Sequence, residues 1–224
     1  MLVGLESCTH PDALSAADRA TRLGLRSNQP RVYIVACLGG GSGSGMFLDA
    51  AYCARHKLRQ LGYSNPEIIG LFLIPAAERG AKGPGLANTY TALRELHHFS
   101  QPETTFTASF EERDGRIEDS SAPFSRCFVV PLPPSVRPGV AETSKDTVRK
   151  AATFLMGDLL SPIGRAADIE RAKHVDSNNP ELSVASFGQA AFIWPRQALL
   201  AKAARWLGSA VLHRWTASDP DVIG

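Results

Sequence analysis

The chain has 224 residues, 44% of them hydrophobic and 21% charged, with 19 Gly and 15 Pro, which is ordinary globular usage and excludes collagen-like, coiled-coil and disordered chains. Lys plus Arg number 24 and Asp plus Glu 22, a net charge of +2, too balanced for a nucleic-acid or membrane-surface protein held by bulk charge. Cys8, Cys37, Cys53 and Cys127 form no C-x-x-C pair and have no histidine at finger spacing, so they read as reduced core thiols, with no metal ligands and no disulfide framework. No basic-then-apolar leader opens the sequence and no apolar stretch approaches the roughly 18 residues of a membrane span. A cytoplasmic protein without a membrane span is therefore expected.

In chain order, the spacing of Leu14, Ala17, Ala20 and Leu23 before Gly24 predicts a helix over 11–24. Val32 to Leu38 is an almost continuous apolar run, the pattern of a parallel strand covered on both faces. A glycine-rich loop, 39–45, leads to an amphipathic helix over 46–61 that carries Phe47, Ala51, Ala54, Leu58 and Leu61 on one face and stops at Gly62. Ile68 to Ile74 before Pro75 is a second buried strand, completing a strand–helix–strand crossover unit. A helix over 87–99 and a strand over 127–130 continue the alternation. The polar stretch 100–126 between them, with Asp114-Gly115 as a hairpin signal, reads as a surface insertion. A long helix over 141–160, a break at Ser161-Pro162-Ile163-Gly164, a short helix over 166–172, a strand over 182–194 with Gly188 as a bulge, and a helix over 197–206 follow. The fold class is α/β with a parallel sheet.

The chemistry lies in Gly39-Gly40-Gly41-Ser42-Gly43-Ser44-Gly45, between a strand end and a helix start. Glycines at such a corner let backbone N–H groups converge on one anion, and the helix start adds unpaired donors and its positive dipole end. Phosphate is the expected guest. A Walker loop is excluded because Met46 and Phe47, not Lys and Ser or Thr, follow Gly45. The dinucleotide spacing G-x-G-x-x-G fails in every register, ending on Ser44 or Met46. A side chain at Gly43 is expected to fill the space where backbone meets phosphate while leaving the fold intact.

These seven residues resemble the tubulin and FtsZ signature G-G-G-T-G-[ST]-G, with Ser42 where the family usually has Thr. Asn88 to Leu96, Ser186-Phe187-Gly188 and Pro195-Arg196 are similar to the large bacterial tubulin-like proteins in particular. The resemblance implies a three-layer, parallel-sheet nucleotide-binding domain of tubulin/FtsZ type. Gly39 to Gly45 would cradle the phosphates of GTP with Mg²⁺ bridging them, and subunits would assemble head to tail into filaments. It implies ribose contacts from Glu78 and Arg79, where an exposed ion pair is the ordinary alternative. It implies guanine recognition by Glu142 or Asp146, early in the helix over 141–160, where acids also serve as dipole partners. Relatives follow this helix with the acidic loop N-x-D-x-A-D-V, which reaches the next subunit's nucleotide and positions the attacking water.

Here that place reads Gly164-Arg165-Ala166-Ala167-Asp168-Ile169, so Asp168 matches the second acid while the Asn and first Asp are replaced. Asp168 is the catalytic candidate in trans, with a solvated helix-start aspartate as its plain alternative. By comparison with the family, 1–224 is expected to be an incomplete nucleotide-binding domain with the start of a second domain from about 182. The functions left open are a GTP-hydrolysing polymer subunit that alternates between GTP and GDP, a non-hydrolysing nucleotide-dependent scaffold, and an inert fragment.

Overall fold

The computed structural model describes residues 2–22, 24, 30–76, 83–110, 115–132, 142–173, 184–188 and 195–216. In chain order the elements are α1 (Leu2–Thr9), α2 (Pro11–Thr21), β1 (Arg31–Cys37), α3 (Gly41–Gln60), β2 (Glu67–Ile74), α4 (Pro84–Phe99), β3 (Phe106–Ala108), β4 (Ile117–Asp119), β5 (Arg126–Pro131), α5 (Glu142–Leu160), α6 (Pro162–Lys173), β6 (Val184–Ala185) and α7 (Arg196–Thr216). The chain divides into two units, 1–188 and 189–224. In the second, the described element is α7, which opens behind Pro195 with the Leu199 N–H donating to the Pro195 carbonyl at 2.9 Å.

The first unit is built on a parallel sheet in the order β1-β2-β5-β6. Successive side chains of a strand point to opposite faces, and β2 divides its apolar residues accordingly. Ile68 and Phe72 pack with Phe47, Leu48, Ala51, Ala54 and Leu58 of α3 and with Ala92 and Leu96 of α4. Ile69 and Leu71 pack with Phe128 of β5 and Ala151 of α5. Helices therefore cover both faces of β2, which is why it reads as an unbroken apolar run, whereas β1, expected to be covered on both faces, is the edge strand of the order and leaves Val35 and Cys37 exposed. Because the strands are parallel and in register, the C-terminal ends of β1, β2 and β5 share one edge, with Cys37 opposite Leu73 and Leu73 opposite Val130.

Several boundaries differ from those read in the sequence. The first helix of the alternation, α3, starts at Gly41 rather than Met46, and α4 starts at Pro84. Helix α1 precedes the first expected helix. Of the thiols expected in the core, Cys127 alone is buried, Cys53 is half-buried, and Cys8 and Cys37 are exposed. Burial pushes the Cys127 thiol up to about 12, against a backbone hydrogen bond from Gly70 that lowers it.

The segment expected as a surface insertion forms the antiparallel hairpin β3–β4, and its inner side is buried rather than solvated. Phe106 stacks on Tyr52 of α3 with ring centroids 4.0 Å apart, and Ile117 joins them. Beside this apolar contact, Asp119 accepts from Arg55 at 3.3 Å, from Arg59 at 2.9 Å and from the Ser121 N–H at 2.9 Å. Arg55 also donates to the carbonyls of Ala122 and Pro123. The hairpin is thus tied to α3 by one stacked pair and one buried ion pair.

Burial alone would raise the Asp119 carboxyl, but the Ser121 hydrogen bonds and the Arg55 and Arg59 guanidiniums outweigh it and hold the group below its ordinary value. A depressed carboxylate contributes stability that is complete above the unfolded-state value, about 3.9, and is lost as pH falls through the folded-state value. Asp119→Ala strands the buried Arg55 and should lower the unfolding free energy at pH 7 by about 3 kcal/mol. Urea denaturation at pH 7 and again below pH 4 checks both statements, because the variant and the parent should converge at the acid end.

Candidate functional site

The chain leaves β1 through a tight turn. The Leu38 N–H donates to the Leu73 carbonyl at 2.9 Å, and the Gly40 N–H to the Cys37 carbonyl at 3.3 Å. Gly40 is the N-cap of α3 in extended conformation, with no side-chain cap, and no acidic residue stands in the first turn. The Ser44 N–H donates to the Gly40 carbonyl at 3.0 Å and closes the first turn. The N–H groups of Gly41, Ser42 and Gly43 precede that bond and meet no acceptor among the described residues. These are the orphan donors of a helix start, at its positive end. The Ser44 hydroxyl turns back to the Gly40 carbonyl at 2.8 Å, whereas Ser42 is exposed. The first acid along α3 is Asp49, whose carboxyl burial pushes up.

The glycines of the turn do separate jobs. None has a positive φ, so left-handed conformation does not explain them. A Cβ on Gly43 would overlap the Cys37 carbonyl oxygen and stand 2.9 Å from its carbon. This corrects the expected role of Gly43, whose missing side chain admits the chain's own backbone rather than a ligand. A Cβ on Gly39 would lie 2.7 Å from Pro75 Cγ. By contrast, one on Gly41 or Gly45 would meet nothing within 4 Å, and one on Gly40 makes only ordinary contact at 3.8 Å. Each helical glycine costs about 1 kcal/mol relative to alanine, and nothing among the described residues requires Gly41 or Gly45.

A second helix start lies alongside. Helix α4 has Gly83 as its N-cap and Pro84 in its first turn, again without a side-chain cap or an early acid. Asn88 donates to the Gly39 carbonyl at 3.3 Å, and a Cβ on Gly85 would stand 3.4 Å from the same oxygen. Two uncapped helix starts therefore meet at the C-terminal edge of β1 and β2, outside the strand ends where open α/β sheets hold their ligands. The sequence reading missed Gly85 and the Asn88 contact with Gly39, although Gly83-Pro84-Gly85 ahead of an amphipathic run is a helix-start signal.

The other candidate residues are distributed along the fold. Glu78 and Arg79 lie outside the described residues, as does the side chain of Glu142. Asp146 is exposed and accepts from Arg149 at 3.2 Å, one turn further along α5. Helix α5 opens after the C-terminal end of β5, and its Asp158 reaches Arg31 and Tyr33 near the start of β1. It therefore runs antiparallel to the strands, with Glu142 towards the glycine edge. Asp168 belongs to the far edge, where it accepts from Arg31 at 3.1 Å. The rise of β1 between the two edges is roughly 20 Å, so a subunit cannot bring Asp168 to its own glycine turn.

Among the described residues, no helix is long and apolar enough to cross a membrane. A family model described as tubulin like matches residues 9–213, most of the chain. No curated protein matches it.

The contact between Gly43 and Cys37 makes Gly43→Val a folding defect. It should lower stability by about 3 kcal/mol, measured by urea denaturation, whereas Gly41→Val, in open space, should remain within about 1 kcal/mol of the parent.

Proposed function

The chain belongs to the tubulin-like family, and on that premise we propose that it is the GTP-binding subunit of a cytoplasmic, self-assembling polymer. The observation that carries the reading is the bare start of α3. Its first three N–H donors have neither cap nor acid to satisfy them, and Gly41 and Gly45 leave room that none of the described residues fills. An anion of phosphate size matches both the charge and the space.

In this reading the N–H groups of Gly41, Ser42 and Gly43 hold the terminal phosphates, with the Ser42 hydroxyl as a further donor. Mg²⁺ would neutralise charge on the phosphates; the described residues contain no group of three or more His, Cys, Asp or Glu to bind it, so it would be held through the nucleotide. Glu142 or Asp146 accepts from guanine N1–H and N2–H₂, which adenine lacks, and Glu78 and Arg79 face the sugar. The nucleotide then sits between one subunit's glycine edge and the next subunit's α5–α6 edge, a heterologous contact that repeats without closing. Exposed apolar side chains occur towards both edges, Met46 and Tyr90 at one and Leu160, Ile163 and Ile169 at the other. Hydrolysis proceeds as water attacks the γ-phosphorus and the bond to the bridging oxygen breaks. GDP leaves with the electron pair, and the water's proton passes to the carboxylate of Asp168 from the adjoining subunit.

A non-hydrolysing scaffold is the second reading. It is favoured by the replacement of the family's Asn and first Asp by Ile163 and Arg165.

Titration with fluorescent GTP and with ATP should give saturable binding that prefers GTP. Gly41→Val should weaken it at least about 100-fold at an unchanged thermal midpoint, and unchanged affinity would remove the phosphate assignment. Asp168→Ala should retain GTP affinity and slow phosphate release in the assembled state by about 10²-fold. Mixing it with Gly41→Val subunits should recover part of the rate, whereas parental turnover in Asp168→Ala supports the scaffold.

A further inference from the structure

At the edge of the sheet away from the glycine turn, Arg31 spans three elements with one guanidinium. Its Nε donates to Glu67 of β2 at 2.5 Å, Nη1 to Asp158 of α5 at 3.5 Å, and Nη2 to Asp168 of α6 at 3.1 Å. Two neighbours fix the other carboxylates: the Tyr33 hydroxyl donates to Asp158, and Arg126 of β5 donates to Glu67. Arg31 is 19% exposed, Asp158 3%, Glu67 25% and Asp168 29%, so the Asp158 arm is buried while the Glu67 and Asp168 arms approach the surface.

Helix α6 packs along α5. Among the described residues none of its side chains belongs to the apolar clusters on either face of the sheet, and Ile163 and Ile169 are 70% and 58% exposed. The Arg31 ion pair ties Asp168 to the head of β1. A guanidinium is planar and presents its donors in a fixed fork, so anchoring two of its corners determines the third. Glu67 and Asp158 provide those two anchors.

We propose that Arg31 is a positioning residue that aims the Asp168 carboxylate at the nucleotide of the adjoining subunit. The proposal rests on the GTPase reading above. Arg31 does not touch nucleotide, since β1 separates it from its own subunit's glycine turn, and it acts through Asp168. Lysine in its place offers one point charge instead of a fork and cannot hold three carboxylates in a fixed arrangement.

The test is Arg31→Lys in the full chain, with three readings: GTP affinity, thermal midpoint, and phosphate release per assembled subunit. Affinity should stay within about twofold, while the rate should fall by about 10- to 100-fold, the scale of a small misplacement of a reacting group. The double variant Arg31→Lys, Asp168→Ala should be no slower than Asp168→Ala alone, because both changes remove one interaction. Mixing Arg31→Lys with Gly41→Val subunits should restore turnover where an intact Arg31–Asp168 pair faces bound GTP. If Arg31→Lys lowers the thermal midpoint by several degrees, Tyr33→Phe takes its place. That change loosens only the Asp158 anchor and should slow release a few-fold with affinity intact. A parental rate in both variants, additive losses in the double variant, or an assembled parent that binds GTP without hydrolysing it would each overturn the positioning role. An absence of GTP binding in the parent would overturn the functional reading with it.

Discussion

The close approach of Gly43 to the carbonyl of Cys37 fixes the geometry from which the candidate site follows. With no side chain between them, the first turn of α3 lies directly against the end of β1. The helix must then begin within the glycine run instead of after it, and its first N–H groups emerge at the edge of the sheet. Gly39, wedged against Pro75 and joined by Asn88 to α4, brings a second helix start to the same edge. Two positive helix ends side by side would repel each other if left alone. An anion between them removes that cost, so the arrangement is physically reasonable as a holder of phosphate.

The two edges of the sheet carry complementary equipment. The glycine edge has donors that meet no acceptor among the described residues, and the far edge has Glu67, Asp158 and Asp168 organised around Arg31, with Arg126 beside them. The length of β1 keeps the glycine turn and Asp168 apart within one subunit, and in the proposed function a neighbouring copy stacked in the same sense brings them together. Since net charge is close to zero, such stacking is opposed by little long-range repulsion.

The alternation of strands and helices was legible because its apolar periods are strong. Ile68 to Ile74 is a run that the sheet buries on both faces, Val32 to Leu38 forms an edge strand that leaves Val35 exposed, and the residues on the inner face of α3 are those its spacing indicates. The start of α3 was not legible: glycine and serine have poor helix propensity, and tertiary contact at Gly43 together with the Ser44 hydroxyl overrides it. The buried side of the β3–β4 hairpin was hidden for a similar reason, since Phe106 and Asp119 find partners in Tyr52, Arg55 and Arg59, about fifty to sixty residues earlier. The Arg31 fork joins residues 36, 127 and 137 positions apart. Its only trace in the sequence is one charged residue at the head of each of three apolar strands, Arg31, Glu67 and Arg126, and this trace is intelligible only once those strands are known to be neighbours.

The central claim is that the free donors at the start of α3 receive the phosphates of a nucleotide. The most direct measurement follows the backbone amides of Gly41, Ser42 and Gly43 by ¹⁵N–¹H NMR as GTP is added. Hydrogen bonding to phosphate should move these three proton resonances downfield, with a saturating dependence common to all three, while amides along Glu67–Ile74 stay nearly still. Saturable GTP binding that leaves these three amides unmoved would contradict the account.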